Sequence, residues 1–398
     1  MITVEEAERI ILAEAADYGA EIVPFEHSLG RVLAENIKAD RDLPPFDRVT
    51  MDGIAISYKA VEEGISTFKI KATQAAGDEP VEISESDECV EIMTGAILPV
   101  SADTVIRYED LSLRAGLATL VTHEIKKGQN IHDKGKDKKK DDEVAFFGQV
   151  ITPAVISMIA SVGETELRVR KLPRVVIISS GDELVDVNHQ PSAFQIRRSN
   201  NYTVKAVLER HHIEPGMLHL PDDEDIIKKQ LKNALENYDV LLLSGGVSMG
   251  KFDYIPKAFD ALGVDQLFHK VQQRPGKPFW FGKHPKGQLV FAFPGNPVAT
   301  FMCLHRYFLP WLTASLKKET PLQMRAILNQ RVHFHFPLKY FLQVTLHQNE
   351  VCQLVATPVE GNGSGDFANL TETDAFMELP SQRNEFKKGE VFTIWPFA

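Results

Sequence analysis

Apolar and polar residues alternate with different rhythms along the chain. In VEEAERIILAEA, Ala7, Ile10, Ile11 and Ala15 fall on one face of a helix, and Thr3 with Glu6 forms a capping box at its start. The chain then turns extended through Pro44 and Pro45. From about Thr50 to Glu124 the runs FKIKAT, ECVEIM, DTVIRYE and LATLVTH are short, β-rich and divided by turn residues, which predicts a compact β-rich domain. IHDKGKDKKKDDEV has no apolar period and reads as a solvated loop. TPAVISMIASVG predicts a helix ending at Gly163. From Pro173 to about Leu316, VVIISS, YTVKAVLERHH, MLHL, EDIIKKQLKNALEN, DVLLLS, YIPKAFDAL, LVFAF and PVATFMCLHRYFLPWL alternate strand with helix, which predicts a parallel sheet with helices on both faces. The remainder, about Glu319 to Ala398, returns to short alternating runs and predicts a small β-barrel or sandwich.

Within the α/β stretch three hydrophobic runs break into glycine: DVLLLSGGVSMGKFDYI, QQRPGKPFWFG and LVFAFPGNPVATF. Ligands of open α/β sheets bind outside the carboxyl ends of the strands, where glycine lets an oxyanion approach backbone N–H groups. Ser244, Gly245 and Gly246 in the first turn, and Pro294, Gly295 and Asn296 in the third, are candidate phosphate contacts. Arg274, Gly276 and Lys277 in RPGKP bring cations to a tight turn, and Asp253 in GKFDY brings a carboxylate. Glu183 follows a strand in SSGDEL, and Asp222 follows another in LPDDED. Acids at such places often only cap a helix, and of Asp222 and Asp223 one is expected to do so. Carboxylates gathered near a phosphate call for a hard cation, so Glu183, Asp222 and Asp253 are candidate ligands of Mg²⁺.

Composition narrows the class. The 398 residues suit about two or three domains. Lys and Arg number 44 against 55 Asp and Glu, a formal charge of -11 that argues against nucleic acid as a partner. Cys89, Cys303 and Cys352 form no ligand pattern and read as reduced, buried thiols. The N-terminus opens with acidic residues rather than a basic, apolar secretory signal, and no run of about 18 apolar residues suggests a membrane span. A cytoplasmic location is expected.

Blocks standing in register, PPFDRVTMDGIAI, EIMTGAILPVSADTVIRYED, SSGDELV, QIRRSN and GNGSGDFANL together with the glycine turns, resemble the MoeA family of molybdopterin molybdenumtransferases, to which the gephyrin E domain also belongs. The resemblance spans nearly the whole chain. It implies a multidomain α/β plus β fold: an elongated, discontinuous N-terminal dimerisation domain (1–45 and 141–172), a β-rich domain (46–140), a MogA-like, doubly wound α/β domain that binds molybdopterin (173–318) and a small C-terminal β-barrel (319–398). It adds to the site Asp52 in TMDG, where Gly53 permits a tight turn that leaves the carboxylate exposed and a turn-stabilising contact is the alternative, and Thr94 in MTGA. Asp137 and Ser364 match family positions too. Two positions depart from the family pattern: His132 and Gln343 stand where arginine is common.

The implied activity is insertion of molybdate into adenylylated molybdopterin with release of AMP, dependent on Mg²⁺. In the implied roles Glu183, Asp222 and Asp253 position metal or water, Lys277 and Arg274 meet phosphate charge, and Asp52 and Thr94 serve the pterin and molybdate end. The resemblance further implies a homodimer whose site joins the α/β domain of one subunit to the β-rich domain of the other. Its implied partners are a MogA-like adenylyltransferase and proteins of molybdoenzyme maturation. Two rival readings are a non-catalytic scaffold that keeps the fold and an adenylyltransferase of the MogA kind. Retention of the acids and Lys277 weighs against the first, and the flanking domains weigh against the second.

Overall fold

The computed structural model describes residues 1–122, 124–246, 254–319, 322–361, 363 and 365–397. Asp253 and Ser364 lie outside the described residues. The first helix, Val4–Ala13, carries the expected capping box, with the Thr3 hydroxyl accepting from the Glu6 N–H and the Glu6 carboxylate accepting from the Thr3 N–H. Its buried face is Val4, Ala7 and Ile11; Ala15 lies beyond the helix and is exposed.

Four assemblies of strands follow. Ala20–Pro24 pairs with Glu166–Arg170, and Ile37–Lys38 with Glu143–Ala145, so the chain's beginning and its stretch after residue 140 interlock. The first helix is the exception, for its apolar face packs into the α/β core rather than onto these strands. The β-rich unit is one six-stranded sheet in the order Thr104–Arg107, Gly53–Ile56, Glu88–Ile92, Thr67–Gln74, Leu117–Leu120, Leu111–Arg114. At the C-terminal end, Lys339–Gln348, Leu354–Pro358, Arg325–Leu328, Val391–Pro396 and Ala375–Leu379 pair in sequence, and the last returns to pair with the first, closing a barrel.

The central sheet has the order Gly216–Leu220, Val175–Ser180, Val240–Ser244, Leu289–Phe293, Trp280–Lys283, Asp265–His269. Alternate residues of each buried strand enter different cores. Val175, Ile177, Val240, Leu242, Phe291 and Phe293 join one, with helix Ser199–Arg210 and the chain from Pro297 to Leu316; Val176, Ile178, Leu241, Leu243 and Val290 join the other, with helices Glu224–Asn237 and Tyr254–Ala261. Helices therefore cover both faces, as the fully apolar strands require. The sheet is nonetheless mixed rather than parallel. Trp280–Lys283 runs antiparallel to Leu289–Phe293, and Asp265–His269 antiparallel to it in turn. A hairpin needs only a short turn, here His284 to Gln288, where a parallel connection would need a crossover of a dozen residues or more.

Among the described residues no helix is long and apolar enough to cross a membrane. Cys89 and Cys303 are buried, and burial pushes the Cys89 thiol up to about 12. Cys352 is exposed instead, because it sits in the turn between two barrel strands.

Three parts of the chain meet at Arg306. Pro310, lacking an N–H, cannot bond the Arg306 carbonyl, and the helix widens into a π turn over Leu304–Phe308 between Pro297–Cys303 and Leu309–Ser315. The Arg306 side chain, 4% exposed, pairs with Glu8 of the first helix at 2.8 Å and with Glu378 of the barrel at 3.2 Å. Its guanidinium lies 4.3 Å from the Trp395 ring centre. Lys339 bonds the other Glu378 oxygen at 2.5 Å and also pairs with Glu5. Removing the guanidinium would leave Glu8 without its partner and Glu378 with only Lys339 and Trp395, so Arg306→Ala is expected to cost up to about 3–5 kcal/mol in the transition that unfolds this junction. Arg306→Lys, which keeps charge without the fork, should fall between. Denaturant midpoints measured on the purified variants would check this, and an unchanged midpoint for Arg306→Ala would remove Arg306 as the junction's anchor.

Candidate functional site

Two of the three glycine turns leave the carboxyl ends of neighbouring parallel strands, and the structure presses them together. A Cβ placed on Gly295 would lie 3.5 Å from the Gly245 α-carbon. At Gly246, φ is +70° and a Cβ would come within 2.3 Å of the Ile255 side chain and 2.7 Å of the Ser180 hydroxyl, so only glycine fits. Asn200 ties the turns: its amide donates to the Ser244 hydroxyl at 2.6 Å and to the Gly295 carbonyl at 2.7 Å. Thr300 closes the arrangement by donating to the Pro294 carbonyl at 2.6 Å. Ser244, Gly245, Gly246, Pro294 and Gly295 are thus one feature, with Asn296 opening the helix that follows. Sequence reasoning read QIRRSN only as a matching block and missed Asn200 as the bridge.

The RPGKP turn reaches the same rim by a different route. It precedes Trp280, which pairs with Ala292 near the carboxyl end of Leu289–Phe293, and because the two strands are antiparallel the entry of one lies beside the exit of the other. Gln273 holds the turn by donating to the Gly276 carbonyl at 3.0 Å and accepting from the Tyr307 hydroxyl. A Cβ on Gly276 would meet Gln273 at 2.7 Å and the Cys303 sulfur at 2.8 Å. Lys277 and Arg274 are left exposed.

Arg274 also belongs to the barrel side. Gln273 and Arg274 pair with Lys339 and Tyr340, and the Arg274 guanidinium lies 4.9 Å from the Phe336 ring centre. Here a groove of about 640 Å³ opens, lined by Arg274, Val298, His333, Phe336, Gln343 and Gly363 among others. The structure therefore joins Arg274, Gln343 and Gly363. Lys339, which could have stood in for an arginine at Gln343, is committed to Glu5 and Glu378.

The acids lie on adjacent strand ends. The Asp182 N–H donates to Asp222 at 3.5 Å and the Asp222 N–H donates to Asp182 at 3.2 Å, locking the loops after Val175–Ser180 and Gly216–Leu220 together. Asp223 caps its helix by accepting from the Ile226 N–H at 2.9 Å, which leaves the Asp222 and Glu183 carboxylates exposed. His219, a residue that sequence reasoning passed over, bonds the Ser179 hydroxyl at 3.0 Å. Burial first, then Arg198, holds His219 below the usual histidine range, partly opposed by Asp182 and Glu183. Among the described residues no group of three or more His, Cys, Asp or Glu is placed to hold a metal. The third expected ligand, Asp253, lies outside the described residues.

Asp52 and Thr94 form a separate feature on the β-rich sheet. Asp52 accepts from the Thr94 N–H at 2.6 Å and from its hydroxyl at 2.8 Å. Those two bonds, the N–H first, hold the Asp52 carboxyl below the usual carboxylate range. Nearby on the same unit, Arg48 donates to His132 Nδ1 at 3.2 Å, so His132 Nε2 carries the hydrogen that goes to Asp137 at 3.0 Å. A guanidinium therefore stands beside His132 although residue 132 is not arginine. Its source, on a paired strand 84 residues earlier, could not be read from the motif.

Comparison with known proteins bears on all of these features. Successive segments match the MoeA N-terminal region, domains I and II (residues 2–163), a probable molybdopterin binding domain (176–314) and the MoeA C-terminal region, domain IV (325–397). A molybdopterin molybdenumtransferase of Synechocystis is 36% identical over 398 residues, covering 99% of this chain and 100% of its own. One of Haemophilus influenzae is 30% identical over 405 residues, covering 100% and 99%. The crystal structure of a molybdopterin biosynthesis moeA protein from Pyrococcus horikoshii superposes with a TM-score of 0.85 at 26% identity, over 100% of both chains.

The Asp52 pair yields a direct expectation. Because its folded pKa is depressed, the carboxylate's contribution is present above the unfolded value of about 3.9 and is lost as pH falls through the lower folded value. Thr94→Val keeps the N–H and removes the hydroxyl, so the Asp52 pKa should rise part of the way toward the ordinary value. Carboxyl-carbon NMR titration would check it, and an unmoved titration would show that the hydroxyl bond is not made in solution.

Proposed function

Because the chain belongs to the MoeA family of molybdopterin molybdenumtransferases, the enzymes of molybdenum cofactor biosynthesis, we propose that it inserts molybdate into adenylylated molybdopterin with release of AMP in a Mg²⁺-dependent reaction. The observation that carries this reading is the cradle made by the two glycine turns and bridged by Asn200. An adenylyl phosphoanhydride needs close approach and fixed cations around its oxygens; the glycines of the cradle allow the approach, and exposed Lys277 and Arg274 beside it supply the charge.

In this reading two Mo–S bonds form to the pterin dithiol as one molybdate oxygen leaves as water with the two thiol protons. The bond between the two phosphates breaks as water adds to the adenylyl phosphorus, which leaves as AMP. Every reactant is an anion, so prepositioned positive charge is what the residues contribute. Arg274 holds phosphate on the groove side, Lys277 on the sheet side, and Asp52 with Thr94 orients the pterin and molybdate end. The exposed carboxylates of Glu183 and Asp222 are hard oxygen donors on neighbouring strand ends, which suits Mg²⁺, with Asp253 as the third ligand. Magnesium bound there would neutralise phosphate charge. Asp52 and Thr94 bond to one another on a different sheet from the cradle, which fits a homodimer in which one subunit's β-rich unit completes the other's site. Arg48 beside His132 weakens the case for a non-catalytic scaffold, since the cation absent at 132 is present next to it.

Lys277→Ala and Asp253→Ala are each expected to lower molybdate-dependent AMP release about 100-fold or more while leaving a folded protein. Chelation should stop the reaction and added Mg²⁺ restore it. Wild-type turnover in either variant, or in the presence of chelator, would overturn the assignment. Light scattering at micromolar concentration should give the mass of a dimer, and a monomer would contradict the shared site.

A further inference from the structure

A second cavity, of about 200 Å³, lies where the strand Glu166–Arg170 meets the last turns of the helices Ser199–Arg210 and Leu309–Ser315. Its wall carries Arg31, Arg170, Arg210, His211, His212 and Lys318 and, among the described residues, no carboxylate. Two of the four permanent cations are balanced from behind: Arg170 pairs with Asp17, and Arg31 with Glu21 at 2.5 Å. Among the described residues Arg210 donates to the Phe397 carbonyl alone, at 3.3 Å, and it is Lys317, not Lys318, that takes the other Asp17 oxygen at 2.8 Å. Arg210 and Lys318 thus face the cavity without a carboxylate partner among the described residues.

The two helix ends explain part of this crowding, since each presents about half a negative charge and together they offset about one cation. They do not explain Arg31 and Arg170, which come from outside both helices and each keep a buried Nε–H with no acceptor. The Arg170 side chain is 7% exposed, so water does not readily supply that acceptor. Burial first, and then Lys318, Arg210 and His212, push His211 down to about 4, as a field of uncompensated positive charge would. A Cβ on Gly30 would lie 2.2 Å from His212 Nε2, so glycine is what lets the His212 ring close against this side of the wall.

We propose that this cavity is a second anion site, distinct from the cradle at the sheet rim, that takes one phosphate-sized oxyanion. Its volume is below the roughly 300–1,000 Å³ of pockets for larger ligands, which limits the occupant to a free oxyanion or the phosphate head group of a longer molecule. Guanidinium forks match the paired oxygens of such a group. The bound anion draws together Arg170 of the N-terminal strands and Arg210 and Lys318 of the α/β unit, so it fastens the junction between them.

The test is calorimetric titration of the full chain with inorganic phosphate and with glycerol phosphate, at an ionic strength held constant with chloride. Binding that survives in Lys277→Ala and weakens at least tenfold in Arg210→Ala/Lys318→Ala is expected. Both substitutions fall on accessible side chains, so folding should persist. Binding of the free ion supports an inorganic occupant, and at least tenfold tighter binding of the ester supports a head group. Thr313→Glu places a carboxylate on the wall and should abolish the rise in thermal midpoint that phosphate produces in the unaltered protein. Phosphate binding that disappears entirely in Lys277→Ala, affinity unchanged in the double variant, or an equal phosphate-induced rise in Thr313→Glu would each overturn the proposal.

Discussion

The arrangement of the molecule depends on one buried cation. Arg306 is held by carboxylates from the chain's first helix and its last domain, so Glu8 and Glu378, from opposite ends of the chain, are fixed against one side chain. Burying such an ion pair is seldom a net source of stability, because desolvation consumes much of the Coulomb gain. Its value is geometric. Trp395 donates to Glu378 at 2.8 Å and lies against the guanidinium, so only one placement of the barrel satisfies every partner. That placement carries Tyr340 alongside Arg274 and opens the groove between them.

The rim of the central sheet illustrates how backbone direction decides which residues can cooperate. Parallel strands deliver the Ser244 and Pro294 turns to one edge as a matter of course. RPGKP arrives there only because its strand runs the other way. Had Trp280–Lys283 been parallel, the turn that precedes it would have lain at the opposite edge, away from the cradle.

Charge is organised locally and against the overall balance. A chain with formal charge -11 repels anions at a distance. Under the proposed function anionic substrates would be met by groups that act at contact range: the guanidinium of Arg274 over Phe336 and exposed Lys277 beside the glycine turns. The junction cavity follows the same logic, with cations gathered where acids are excluded from the wall.

Much of this was legible in the chain. The capping box at Thr3 and Glu6, the helix ending at Gly163, the two-sided burial of VLLLS and LVFAF, and the glycine turns all depend on residues a few positions apart, whose spacing imposes one local geometry. The need for one of Asp222 and Asp223 to cap a helix was equally local, and it fell to Asp223. What only the tertiary structure decided are meetings between distant residues: Asn200 with Ser244 and Gly295, Arg48 with His132, Arg306 with Glu8 and Glu378, and the antiparallel strands at the sheet's edge. Cys352 was misjudged because it was read together with the two cysteines of apolar runs, although Asn349, Glu350 and Gln353 beside it are polar and the turn it occupies faces water. Periodicity reports which face of a helix or strand is apolar. It carries no information about which polar side chains from other segments will arrive beside it, because that follows from how whole elements pack.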